Sequence, residues 1–259
     1  MKVVILAGGF GTRISEESLF RPKPMIEIGG MPILWHIMKI YGSQGFNDFI
    51  ICAGYKQHFI KEWLADYYLH TSDITFDFTN GQNEMIVHNR KTESWRVTVV
   101  DTGLNTQTGG RIKRIKEFIG NHSFLLTYGD AVGDIDINKL IGYHESKGKI
   151  CTVSAYNFGQ NKGVLDVNQD GTVNAFREKS NLDGDLINIG FMVIKPDIFE
   201  HIQGDETIFE RDTLRGLADK DELAAYIHRG YWQCMDTLRE KQQLEKLWDE
   251  GRAPWKIWS

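Results

Sequence analysis

Long apolar runs are missing from this sequence, and so is any surplus of positive charge. No run reaches the roughly 20 residues of a membrane-crossing helix, and nothing like a secretory leader precedes Lys2. Lys and Arg total 30 against 35 Asp and Glu, a net charge of -5, so no basic face invites nucleic acid. Cysteine is scarce too. Cys52, Cys151 and Cys234 are odd in number, scattered, and without metal-ligand spacing. They exclude a disulfide framework and read as buried free thiols in a reducing cytoplasm. No Ser/His/Asp or Cys/His set suggests a protein nucleophile. No repeat or low-complexity linker divides the chain. What is present, 41% hydrophobic and 12% aromatic residues in 259, suffices for the core of one large α/β domain.

The richest stretch lies near the N-terminus. Lys2-Val3-Val4-Ile5-Leu6 reads as a buried first strand. Ala7-Gly8-Gly9-Phe10-Gly11-Thr12-Arg13 follows, and then Arg21-Pro22-Lys23-Pro24-Met25. Three glycines in four positions suit a turn whose backbone N–H groups face a ligand, the pattern of an anion-binding concavity. Arg13 and Lys23 add two cations. The P-loop string is absent. The dinucleotide fingerprint lacks its third glycine, and Pro22 and Pro24 discourage a prompt helix after the loop. The residues describe a polyphosphate cradle of another kind.

Downstream, apolar strand patterns alternate with amphipathic helices, which predicts a mainly parallel sheet with helices on both faces. Strands are expected at 48–52, 74–78, 96–101, 123–128, 150–156 and 186–194, the last broken at Asn188-Ile189-Gly190. A hairpin with an Asp-Gly turn is expected over 164–176. Helices are expected from Met31, over 59–68, 111–116, 137–146 and 212–219, and from Thr237 to Asp249. His36 sits in an apolar helix and reads as a packing residue. Asp130 is delivered at the carboxyl end of an apolar strand, where open α/β sheets bind ligands. It is a candidate for Mg²⁺, a hard cation. Asp134 and Asp136 read as helix starters. Asp236 has two readings, helix cap or ligand. Thr106 and Arg111 lie on a polar, Gly-rich segment that could contact base and phosphate. The apolar 255–258 tail reads as a docked terminus.

The N-terminal string, with Thr127-Tyr128-Gly129-Asp130 and Trp232-Gln233-Cys234-Met235-Asp236, resembles the sugar-1-phosphate nucleotidylyltransferases, closest to their cytidylyltransferase branch. The likeness also takes in 32–38 and 253–256. It implies a single Rossmann-like domain of the nucleotide-diphospho-sugar transferase type. Its nucleotide half would cover about 1–135 and its acceptor half about 136–259. It implies CTP + α-D-glucose 1-phosphate → CDP-glucose + pyrophosphate with Mg²⁺, feeding CDP-linked deoxysugars of surface polysaccharide. It also implies a homo-oligomer. On this resemblance Leu6, Ala7, Gly8, Gly9, Phe10, Gly11, Thr12 and Arg13 bind the nucleotide, with Lys23, Thr106, Arg111 and Gly129. Asp130 and Asp236 hold the metal. Glu178, Lys179 and Asn188 face the sugar phosphate, and Arg13, Lys23 and Lys179 are the catalytic cations.

Three positions depart from the family pattern, and all fall near the acceptor. Ala131 and Ile189 stand where glycine is expected, and 157–163 replaces a loop carrying Arg-Phe-Gly. Ile189 would add bulk beside the sugar. A second reading therefore keeps CTP but takes another phosphorylated acceptor. A third, a catalytically silent nucleotide-binding regulator, is disfavoured because Asp130 and Asp236 are both present.

Overall fold

The computed structural model describes residues 1–258 apart from 80, 82, 90, 91, 158–163, 168–172 and 178–185, with backbone alone at 164–167 and 173–177. Seven strands build the main sheet. They are β1 (Val3–Ala7), β2 (Asp48–Ala53), β3 (Arg96–Asp101), β4 (Phe124–Tyr128), β5 (Cys151–Asn157), β6 (Leu186–Ile194) and β7 (Leu223–His228). Their order in space is 3-2-1-4-6-5-7. β6 runs antiparallel to both its neighbours, while the other pairings are parallel. The sheet is thus mixed and mainly parallel, as expected, and it runs unbroken through both halves of the chain. β2 lies on one side of β1 and β4 on the other. At such a switch point a crevice opens beyond the carboxyl ends of the strands.

Every residue of β1 is buried, because both faces of the sheet are covered. Val3, Ile5 and Ala7 join one apolar cluster, and Val4 and Leu6 join the other. This is the period-two alternation of a strand between two layers. The covering helices include α1 (Ile33–Gly42), α2 (Gln57–Thr71), α3 (Thr108–Arg114), α4 (Ile137–Lys147) and α5 (Leu238–Asp249). Asp136 caps α4 by accepting from the Lys139 N–H at 2.9 Å. The Asp134 carboxylate instead accepts from the Tyr231 N–H at 2.6 Å.

The structure departs from sequence expectation in several places. Helical turns follow the glycine loop at once, over Thr12–Ile14 and Ser15–Ser18, and stop before Pro22. Arg111 lies inside α3 rather than at its start. The 212–219 helix begins earlier, as a wide turn over Phe209–Leu214 leading into Arg215–Asp219. β6 is continuous, yet its register with β5 jumps from Met192↔Val153 to Asn188↔Ala155. The predicted break is therefore a bulge, with Gly190 at φ +88°. Val164–Val167 pairs antiparallel with Val173–Arg177, as expected of a hairpin. Its Asp-Gly turn lies outside the described residues.

The C-terminal tail docks on its own subunit. Trp255 is fully buried, and its indole N–H donates to His36 Nδ1 at 3.3 Å. His36 Nε2 donates to the Ile28 carbonyl at 2.8 Å. His36 is thus the packing residue the sequence suggested. Burial drives its pKa down to about 4, although the Ile28 and Met31 carbonyls oppose this. Among the described residues no helix is long and apolar enough to cross a membrane.

Candidate active site

A cleft of about 630 Å³ opens where the chain divides around β1. Leu6 to Arg13, Lys23, Thr106, Arg111, Gly129, Asp130, Asn188 and Asp236 all line it. The fold therefore gathers residues from widely separated parts of the sequence. Glu178 and Lys179 lie outside the described residues.

The glycine loop leaves the buried end of β1 and lines the cleft. The N–H groups of Gly9, Phe10 and Gly11 donate to no group among the described residues. They are available to an anion, as a phosphate cradle requires. Gly8 is dictated by packing. A Cβ there would sit 2.1 Å from a guanidinium nitrogen of Arg111. Gly11 is dictated by conformation, with φ +68°, and a Cβ added there would lie only 3.2 Å from that of Lys23. Phe10 stays partly exposed and packs at a tilt on Tyr55, with ring centroids 5.3 Å apart.

Arg111 behaves differently from a free phosphate-binding cation. Its side chain turns onto the loops. Nη2 donates to the carbonyls of Gly8 (3.0 Å) and Leu104 (3.2 Å). Nη1 reaches the Thr102 hydroxyl (2.8 Å) and the carbonyls of Gly103 (2.7 Å) and Ala53 (3.3 Å). One buried guanidinium thus fastens the glycine loop, the end of β2 and the 102–104 turn together.

The carboxylates meet through a second, short ladder. Ala131–Gly133 pairs antiparallel with Trp232–Cys234, Cys234 opposite Ala131. The Met235 N–H then donates to the Asp130 carbonyl at 2.9 Å. Asp130 and Asp236 are brought side by side at the end of that ladder. Thr237, not Asp236, caps α5 through a reciprocal capping box with Glu240. The Asp236 side chain is left for the cleft.

Lys23 sits between the two carboxylates. Nζ donates to Asp130 Oδ2 and Asp236 Oδ1, each at 2.6 Å. The Lys23 side chain is only 9% exposed. Burial works against its charge, yet the paired carboxylates outweigh burial and hold its pKa above the ordinary lysine value. Arg13 Nη1 closes on Asp236 Oδ2 at 2.7 Å from the solvent side. Cys234, expected buried, lines the cleft half-exposed. Burial and the carboxylates of Glu240, Asp236 and Asp130 push its thiol up to about 12, so it is inert rather than nucleophilic.

The donor chemistry fits a hard divalent ion. Both carboxylates lie within reach of one nitrogen, near enough to share one cation. Among the described residues no group of three or more His, Cys, Asp or Glu converges. Mg²⁺ commonly takes one or two carboxylates and completes its shell with water and substrate phosphate. Asp130 and Asp236 are the residues that would hold it.

Two of the acceptor-side departures look different in the structure. Ile189 is 1% exposed and belongs to the core cluster, while its neighbour Asn188 lines the cleft. Strand alternation turns the isoleucine away from the site, so it adds no bulk there. Ala131 is buried within the short ladder. Tyr128 and Glu210, to which the sequence assigned no role, also line the cleft. Tyr128 had a signal, two residues before Asp130 at a strand end. Glu210 had none.

The mainly parallel sheet, the glycine loop and the paired carboxylates are what a nucleotidyl-transferring enzyme needs. The profile of the Nucleotidyl transferase family matches residues 2–239, and the chain belongs to that family. It is 51% identical to the glucose-1-phosphate cytidylyltransferase of Salmonella typhi over 259 residues, all of both chains. It is 43% identical to the probable glucose-1-phosphate cytidylyltransferase of Bacillus subtilis (strain 168), again over all of both. The crystal structure of HddC from Yersinia pseudotuberculosis superposes with a TM-score of 0.67 at 25% identity, covering 95% of this chain and 99% of that one.

Proposed function

We propose that this chain is a glucose-1-phosphate cytidylyltransferase, making CDP-glucose and pyrophosphate from CTP and α-D-glucose 1-phosphate. Full-length identity of 51% to an enzyme of that name carries the choice of base and sugar. The inward turn of Ile189 removes one ground for a different acceptor.

The reaction needs no protein nucleophile, because the attacking sugar-phosphate oxygen is already ionised. It attacks the α-phosphorus of CTP, and the bond to the bridging oxygen of pyrophosphate breaks. The chain's task is to align the reactants and neutralise growing charge. The loop N–H groups of 9–11 cradle the phosphates, and Arg13 and Lys23 face the leaving pyrophosphate. Bound Mg²⁺ supplies charge neutralisation on phosphate oxygens. Asn188 faces the sugar phosphate, a role the resemblance also gives to Glu178 and Lys179, which lie outside the described residues. We expect a cytoplasmic enzyme, since its substrates are a nucleotide and a sugar phosphate. We also expect it to work as a homo-oligomer, for which light scattering is the check. The tail gives that expectation little support, since Trp255 packs internally.

Pyrophosphate release with CTP, UTP, dTTP and GTP against a panel of sugar 1-phosphates tests the reading. CTP with glucose 1-phosphate should give the highest kcat/KM. A higher value for another pair would overturn it.

A further inference from the structure

Glu210 stands on the wide helical turn Phe209–Leu214, far in sequence from every motif above, yet its carboxylate faces the cleft. Two hydroxyls converge on it. Thr108 Oγ1 lies 2.8 Å from Oε2 and Tyr128 Oη lies 2.5 Å from Oε1. The directions of these bonds are forced. An ionised carboxylate only accepts, so both hydroxyls donate to it. Thr108 Oγ1 in turn accepts from the Phe209 N–H at 2.8 Å. The Asn188 side chain also approaches the Tyr128 hydroxyl. Asn188 Oδ1 accepts from the Gly190 N–H at 3.0 Å. Its NH₂ group is therefore the end that meets the phenol.

This chain of bonds fixes the Asn188 amide against a flip. Among the described residues one N–H and one lone pair remain unused, a donor and an acceptor for sugar hydroxyls or phosphate. At the other end, Thr108 opens α3 and closes the 104–108 segment that lines the nucleotide side. That segment is anchored to the same wide turn's approach, with Gln107 N–H donating to the Asp205 carbonyl (2.8 Å) and Gly109 N–H to that of Thr207 (2.9 Å).

We propose that Glu210 is a positioning residue that ties the acceptor-side amide of Asn188, through Tyr128, to the nucleotide-side segment, through Thr108. One carboxylate thereby sets the spacing between the two substrates. The inference rests on the function proposed above, in which Asn188 meets the sugar phosphate.

The test is steady-state kinetics of the full chain with both substrates varied. Tyr128→Phe keeps the ring against Gly190 and removes only the acceptor arm. It should raise KM for glucose 1-phosphate about tenfold while KM for CTP moves less than about twofold. Thr108→Val removes the other arm and should reverse that split. Glu210→Gln should raise both, and its double variant with Tyr128→Phe should lose less than the product of the singles. Equal changes in both KM values for Tyr128→Phe, or full additivity, would overturn the proposal. If Glu210→Gln fails to fold, the two single-arm variants still decide. A wild-type enzyme that ignores glucose 1-phosphate would sink the functional reading instead. In that case calorimetric CTP binding to Thr108→Val still reads the nucleotide arm, and unchanged affinity would refute it.

Discussion

Replacing Lys23 by Met keeps the length of a side chain that is 9% exposed and removes the cation from between two carboxylates. The bonds lost are two charge-assisted hydrogen bonds of 2.6 Å. Each contributes about 1.5–3 kcal/mol net. The carboxylates then face each other. At a separation of about 5 Å and an effective dielectric of about 20, their repulsion is about 3 kcal/mol. Asp130 and Asp236 side chains are 27% and 20% exposed, so water offsets part of this. Arg13 stays on Asp236 but is largely solvated and contributes little. The net cost is about 3 kcal/mol, the low end for breaking a buried pair. A folded-state pKa raised above the unfolded value means this stability is fully present below the usual lysine pKa of 10.5. It is lost only as pH rises through the folded value. A neutral-pH experiment reads all of it. Thermal unfolding in chelator should show a Tm about 6–10 °C below wild type. Millimolar Mg²⁺ should then raise the variant's Tm more than that of the wild type, because no ammonium competes for the carboxylates. Turnover should fall about 10²–10³-fold. A variant as stable as wild type in chelator, or equal stabilisation of both by Mg²⁺, would show that Lys23 does not occupy the cation position.

Other perturbations test the remaining parts. Asp130→Asn and Asp236→Asn should each lower turnover about 10²-fold or more with the fold retained by circular dichroism; near-normal rates at saturating Mg²⁺ would remove that carboxylate from the site. Gly8→Ala pushes a Cβ into the Arg111 guanidinium, which is held by five acceptors. We expect a loss of about 2–4 kcal/mol by urea unfolding and weaker CTP binding, from displaced charge-assisted bonds. Burial of His36 gives a folded pKa of about 4, below its unfolded value. Its contribution is complete above about pH 6.5 and falls as pH drops toward 4, by about 3 kcal/mol in all. His36→Phe should flatten that slope in urea titrations across the window, and an unchanged slope would refute the assignment.

Much of the architecture was legible because it rests on local patterns. β1, β2 and β4 are apolar runs buried on both faces, and such runs announce a parallel sheet. The glycine loop was legible because few other residues tolerate its geometry. Other features depend on tertiary register, which periodicity does not carry. The bulge opposite Val153 and Ala155 settles that Asn188 faces the cleft and Ile189 the core. The family resemblance made both look like acceptor residues. Arg111 was legible as a charge but not as a direction, and its partners come from three separate segments. Glu210 lies in a turn whose wide winding no sequence pattern announced.

The charge balance of the cleft explains why the donor set stops at two carboxylates. Arg13 and Lys23 are matched by Asp130 and Asp236 through bonds of 2.6–2.7 Å, so the cluster is formally neutral before substrate arrives. The third cation of the cleft, Arg111, is turned to backbone carbonyls and serves the shape of the loop. With Glu210, whose carboxylate also faces the cleft, three cations meet three carboxylates, so a nucleoside triphosphate finds free N–H dipoles but no net positive charge among these groups. An added divalent cation changes that balance. Asp130 and Asp236 would hold such a cation, which would supply positive charge at the phosphates, and Lys23 would then be free to pair with phosphate. In the structure this pair of aspartates holds the lysine. A third carboxylate beside that pair would leave the cluster negative and work against the polyanion the site must accept.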